Sequence, residues 1–266
     1  AVLVRFESSA DAVSDSTFYC RFGTNLSVGV RISDDQISCP SPSSRQPQTV
    51  SIETSTNAQQ FSNAADFVYF AHPTISAISP TSGPLEAGTL VAVTGTNLQN
   101  GSAYRCRFGT TDVVATYDAQ AQHRVLCFSV PVASASRRPF KISLNAQQFT
   151  TDLHTFNSFD SPTIALLSPS TGPVLGNTTV FLIGHAFDGG SHYVCRFSPA
   201  AGPPSRVPAT FRSSTSATCV SPAVPESSAG KYILQISLNG QQFSNHSDHQ
   251  AVFGYLGISE VTQISH

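Results

Sequence analysis

No methionine occurs anywhere in the sequence, so a chain that opens on Ala1 is expected to be processed or excerpted from a longer product. Charge is scarce as well. Asp, Glu, Lys and Arg make up 11% of the residues, the formal net charge is -2, and the densest basic run is the pair Arg137, Arg138. Nucleic acids and anionic membranes are bound by clustered positive charge, so neither is an expected partner. Long apolar runs are missing too: none approaches the ~20 residues that a membrane-crossing helix needs, and no signal peptide is present. Nothing here predicts direct membrane insertion. Catalytic strings are also lacking, with no Gly-x-Ser-x-Gly, P-loop or His-Glu-x-x-His, and the sixteen carboxylates are scattered. The expectation is a protein that is not an enzyme, with no catalytic residue and no cofactor.

What the chain has in abundance is hydroxyl groups: Ser and Thr together number 63 of 266 residues. Its surface is kept soluble by them, or by what is attached to them, more than by charge. The second abundance is self-similarity. The strings "FYCRFG", "YRCRFG" and "YVCRFS" place Cys20, Cys106 and Cys195 at intervals of about 90 residues, and Cys39, Cys127 and Cys219 follow them. The strings "TNAQQFS", "LNAQQFT" and "LNGQQFS" then recur, with Phe61, Phe149 and Phe243 in register. Three modules of one kind account for the length.

Each module reads as strands. Tyr104, Cys106 and Phe108 alternate with Arg105 and Arg107, the period-2 pattern of a strand with one buried face, and Phe18, Cys20, Phe22 and Tyr193, Cys195, Phe197 repeat it. Runs such as "TLVAVTG", "FKISLN" and "YILQISLN" are rich in β-branched residues and bounded by Gly, Asn or Pro, with no sustained helical period anywhere. Asn239-Gly240 sits where a tight hairpin needs positive φ, and Asn57-Ala58 and Asn145-Ala146 hold the equivalent places. One Cys pair per module is the pattern of a disulfide framework in an oxidising compartment, and it predicts Cys20 to Cys39, Cys106 to Cys127 and Cys195 to Cys219. Buried free thiols are the alternative. A zinc site is not expected, because no CxxC or paired-His spacing accompanies the cysteines.

The segments Pro73 to Leu98 ("PTISAISPTSGPLEAGTLVAVTGTNL") and Pro162 to Phe187 ("PTIALLSPSTGPVLGNTTVFLIGHAF") resemble the start of the IPT/TIG domain, the immunoglobulin-like module of plexins, fibrocystin-like receptors and some transcription factors. The shared features are a first strand ending in Ser-Pro, a Gly-Pro turn, and a second strand ending in Gly before Leu or an aromatic residue. The likeness implies an all-β fold of three tandem immunoglobulin-like sandwiches with a binding or scaffolding role, placed extracellularly or at the cell surface. It divides the chain into a domain at 1–71 lacking its first strand, complete domains at 72–159 and 160–255, and a tail at 256–266 that resembles a further first strand. In the tail, Val261 matches Ile75 and Ile164, Ile264 matches Ile78 and Leu167, and Ser265 matches Ser79 and Ser168.

The opening "AVLVRFE" matches the second strand of the fold, so domain 1 is short of the strand type that the tail supplies. One expectation is therefore strand donation: Val261, Ile264 and Ser265 of one chain complete domain 1 of an identical subunit, giving a head-to-tail filament of a structural glycoprotein. The alternative is a partner-binding ectodomain segment of a larger receptor. Four sequons, at Asn25, Asn100, Asn177 and Asn245, stand at or beside expected turns and predict attached glycans. Two clusters invite a metal reading, Asn245 to His249 and His185 to His192; the first is better read as a solvated loop, and Asp188-Gly189-Gly190 as a turn.

Overall fold

The computed structural model describes residues 2–5, 17–120, 123–244 and 251–257. Apart from one short 3-10 turn at Glu226–Ser228, every regular element among them is a strand. The chain divides into two compact units, Ala1–His72 and Pro73–His266.

Unit 1 holds β1 (Val2–Arg5), β2 (Phe18–Phe22), β3 (Asn25–Ser33), β4 (Gln36–Cys39), β5 (Gln48–Ser55) and β6 (Ala65–Tyr69), ordered β1-β4-β3-β2-β5-β6. In β2 the alternation is realised as expected: Phe18, Cys20 and Phe22 are buried, Tyr19 and Arg21 are not. Its core is small among the described residues, with Phe18, Cys20, Phe22, Ile37, Cys39 and Ile52 buried and Val2, Val4, Val50 and Phe67 packed at the margin.

Unit 2 contains two sandwiches. The first is built from β7 (Thr74–Ser79), β8 (Ser82–Pro84), β9 (Leu90–Thr96), β10 (Arg105–Phe108), β11 (Thr111–Val114), β12 (Thr116–Asp118), β13 (Arg124–Phe128), β14 (Ser136–Ser143) and β15 (His154–Phe159). Its sheets run β11-β10-β14-β15-β8 and β12-β13-β9-β7. The second is built from β16 (Thr163–Ser168), β17 (Thr171–Pro173), β18 (Thr179–His185), β19 (Val194–Pro199), β20 (Ser205–Ser213), β21 (Ser216–Val220), β22 (Gly230–Ser237) and β23 (Val252–Leu256). Here β20 pairs with β19 through its first half and with β21 through its second, so the two faces are joined as one sheet of eight strands. Each core gathers buried aromatic rings: Phe108, Phe140 and Phe156 in the first, Phe197, Phe253 and Tyr255 in the second.

Burial pushes the Tyr255 hydroxyl up to about 12, so it stays protonated and donates to the Pro222 carbonyl oxygen at 2.8 Å. Tyr104 and Tyr193 lock a matching pair of loops. Each hydroxyl donates to a carbonyl oxygen, of Leu98 and Phe187 respectively, and accepts from an amide, of Gly101 and Gly190.

The glycine that ends the second strand is needed for close approach rather than for φ. A Cβ on Gly95 would lie 1.9 Å from the Thr74 carbonyl oxygen, and one on Gly184 would lie 1.9 Å from that of Thr163. Both glycines face a bulge in the first strand, where β7 crosses β9 and β16 crosses β18.

Register identifies β1 with these second strands, since Val2, Val91 and Val180 all stand opposite the second cysteine of their module. Yet β9 is flanked by β7 and β18 by β16, whereas no described strand flanks β1 on that side. Likewise β15 carries β8 and β23 carries β17, while β6 ends its sheet.

Candidate docking surfaces

The three disulfides join Cys20 to Cys39, Cys106 to Cys127 and Cys195 to Cys219, with Cα atoms 6.2, 6.4 and 6.4 Å apart. All six sulfurs are buried, and no free cysteine remains. Each ties the cysteine strand of its module to the strand that carries the second cysteine.

A second recurrent device involves the arginine that follows the first cysteine. Arg21, Arg107 and Arg196 lay their guanidinium groups over the rings of Phe61, Phe149 and Phe243, at 3.9, 3.6 and 4.1 Å from the centroids. Each such contact contributes on the order of 1 kcal/mol and pins the turn that precedes the phenylalanine. That turn is an Asx turn in all three copies. The side-chain oxygen of Asn57 accepts from the amides of Gln59 and Gln60, that of Asn145 from Gln147 and Gln148, and that of Asn239 from Gln241 and Gln242. Positive φ falls at Ala58, Ala146 and Gly240, as the sequence required. The loop is wider than a tight hairpin, however, and in the third copy it is closed by a bridge between Ser237 and Phe243. Width is what frees the two glutamine side chains to point outward.

In unit 2 those side chains make a clamp. Gln241 accepts from the Leu90 amide through Oε1 and donates to the Leu90 carbonyl through Nε2, both at 2.9 Å. Its carboxamide thus replaces the strand partner that β9 loses where β7 stops at Ser79. Gln242 donates to the Gly88 carbonyl at 2.8 Å and accepts from the Thr89 hydroxyl at 3.0 Å. Asn239 donates to the Ser82 carbonyl and to the Thr89 hydroxyl, and Ser82 donates to Ser191 at 2.8 Å. Thr89, Ser82 and Asn239 are buried by this joint. Each neutral bond contributes about 0.5–1.5 kcal/mol net, and the buried members would cost more if left unpaired. An open cleft of 740 Å³ lies beside the joint, lined by Leu90, Ala92, Arg124 and Leu126 on one side and His192 and Gln241 on the other.

Unit 1 presents a different surface. Leu26, Val28, Val30 and Ile32 alternate along the outward face of β3, and Leu3 extends the patch through the register Leu3, Ser38, Val30; all five are at least half exposed. Register from the cysteine strand places Asp112, Val114, Thr116 and Asp118 at the matching positions of the second module, and Arg206, Pro208, Thr210 and Arg212 at those of the third. Exposed apolar side chains gathered in one patch mark an interaction surface, whereas scattered ones do not. Sequence reasoning passed over this stripe. Its signal was an unbroken aliphatic series at four matched positions, the first and last of which carry charged residues and the third threonine in the other two modules.

Of the expected glycan sites, Asn25, Asn100 and Asn177 are exposed, the last two with positive φ in loops. Asn245 lies outside the described residues, as do Val261, Ile264 and Ser265 and the Asn245 to His249 cluster. Asp188 and Gly189 form part of the Tyr193-anchored loop. Among the described residues no group of three His, Cys, Asp or Glu side chains is placed to hold a metal ion.

The model of the IPT/TIG domain family matches residues 73–157 and 162–251, well over half of the chain. The chain belongs to the IPT/TIG family. Among curated IPT/TIG relatives, human plexin-A4 is 26% identical over 125 residues, 47% of this chain and 6% of the relative. Mouse plexin-A3 is 31% identical over 133 residues, 46% of this chain and 7% of the relative. The chain therefore spans less than a tenth of the length of these relatives. Among solved structures, the plexin A4 full extracellular region superposes with a TM-score of 0.53 at 19% identity, covering 92% of this chain and 22% of that one, which establishes likeness of fold.

Proposed function

We propose that this chain is a non-catalytic, partner-binding segment of a larger extracellular array of IPT modules, built like a receptor ectodomain. The observation that carries the reading is the glutamine clamp, because side-chain bonds that seat one module on the next hold binding surfaces at a set spacing. The three disulfides fit an oxidising compartment, and likeness to plexins supports placement outside the cell. The apolar face of β3 is the surface offered to a protein partner. N-linked glycans on Asn25, Asn100 and Asn245 belong to the same reading. Mass-spectrometric sequencing of the native polypeptide outward from Ala1 and His266 tests it. Further IPT modules are expected on at least one side, and a native polypeptide bounded by those two residues overturns the reading.

A second reading is favoured by one observation, an outer edge of β1 that no described strand flanks, beside a core that is small among the described residues. An unpaired edge is a template for an added strand. In this reading the tail of an identical subunit, with Val261 and Ile264 directed inward and Ser265 at its end, supplies that strand, and repetition gives a head-to-tail filament. One sequence feature limits its register. Phe6 stands at the position of Gly95 and Gly184, so an added strand has to part from β1 before that point. Removing 258–266, which spares Leu256 at the end of β23, or replacing Val261 and Ile264 by Asp, is expected to convert filaments into folded monomers, since two unpaired charges in an apolar slot are costly. Filaments that persist by electron microscopy after the deletion rule strand donation out.

A further inference from the structure

We infer that the backbone leading into β18, Asn177 to Thr179, is a docking edge for the Asn-x-Gln-Gln turn of a further IPT module. The inference rests on the tandem-array reading and specifies how the array is joined. The edge is the structural equivalent of Gly88 to Leu90, which the clamp covers. In the second module the Thr89 amide donates to the Ser129 hydroxyl and the Ser129 amide to the Thr89 carbonyl; in the third the Thr178 amide donates to the Ser221 hydroxyl and the Ser221 amide to the Thr178 carbonyl. The flanking first strands also pair in the same register, Ser79 with Ala92 and Ser168 with Phe181. The backbone amide and carbonyl of Thr179 therefore face the same side as those that Gln241 bridges on Leu90.

The two edges differ in whether they are covered. Thr89 is fully buried beneath the clamp, whereas its counterpart Thr178 is half-buried; the flanking residues, Gly88 and Leu90 on one edge and Asn177 and Thr179 on the other, are exposed in both. Side-chain identity does not bar docking, because the clamp reads backbone groups and one threonine hydroxyl, and Thr178 supplies that hydroxyl. Asn177 replaces Gly88 in the same left-handed conformation, φ 62 against 83. A Cβ on Gly88 would meet nothing within 4 Å even with the turn docked, so the first atom of the asparagine side chain has room.

The matching turn is already formed elsewhere in the chain. Asn57 holds Gln59 and Gln60 with the same pair of side-chain-to-amide bonds as Asn239, and both glutamines are exposed. This turn makes the protein its own probe. In a tandem array the contact is intramolecular, at an effective concentration of about 1 mM or more, so a weak bond suffices; between separate molecules the affinity is expected near millimolar.

The test is to titrate isotope-labelled full-length protein with unlabelled protein to millimolar concentration and follow amide resonances. Concentration-dependent shifts are expected at Asn177, Thr178 and Thr179 of one copy and at Gln59 and Gln60 of the other. Gln59→Ala with Gln60→Ala is expected to weaken the association at least tenfold, and Thr178→Val to weaken it while leaving the spectrum of a folded protein. Absence of shifts at Thr178 and Thr179, or shifts unchanged in the double glutamine variant, overturns the inference. Failure of the array reading itself appears separately, as a native polypeptide without further modules.

Discussion

Phe108→Ala is expected to destabilise the sandwich at 73–157 by about 3–5 kcal/mol, the range for truncating a fully buried phenylalanine. The ring is the hub of that core. It is 0% exposed and meets Phe140 at 5.0 Å and Phe156 at 5.1 Å in edge-to-face geometry, so truncation removes its own buried area and two aromatic contacts at once. The side chain stands on β10, an interior strand of its sheet paired on both sides, with β11 and β14. Its neighbours are held by the disulfide and by paired strands, which limits collapse into the void and keeps the cost toward the upper end. Calorimetry is expected to show one transition moved down by many degrees, with the third sandwich less affected. A shift of only a few degrees would mean that this core relaxes around the loss and is not the rigid support for the clamp described above.

Replacing Cys106 and Cys127 together by alanine is expected to cost about 3 kcal/mol, from the loop-closure entropy that the bond removes from the unfolded chain. The bond spans 21 residues of sequence and ties β10 in one sheet to β13 in the other. Lost buried volume adds to that cost, because both sulfurs sit in the core with Val91, Val93 and Ile142. Denaturant titration of the variant and the parent under oxidising conditions measures the difference. Equal midpoints would show that sheet packing alone sustains the sandwich. Because β13 pairs with β9, and β9 begins at the residue that Gln241 bridges, loss of this tie is expected to reach the joint as well.

Much of the fold was legible in the residues. Alternation of Phe18, Cys20 and Phe22 with Tyr19 and Arg21 is a local consequence of strand geometry, and three copies in register made it unmistakable. Cysteine pairing followed from recurrence, and the first strands at Thr74–Ser79 and Thr163–Ser168 from the Ser-Pro and Gly-Pro strings. The glutamine pair was visible as a repeat, but its role was not, since its partners lie about 150 residues away in sequence. The apolar stripe of β3 was likewise visible as residues. Which side of the strand faced outward depended on pairing with β2 and β4.

The sequence by itself determined the strand class, the number of modules, the cysteine partners and the positive-φ turns, because each depends on residues close in the chain or on repetition. Only the tertiary structure decided which edge of one sandwich meets which loop of the next, and which face of unit 1 is apolar and exposed. Those outcomes depend on backbone groups that look alike in every strand and become distinct only when neighbours cover some and leave others open.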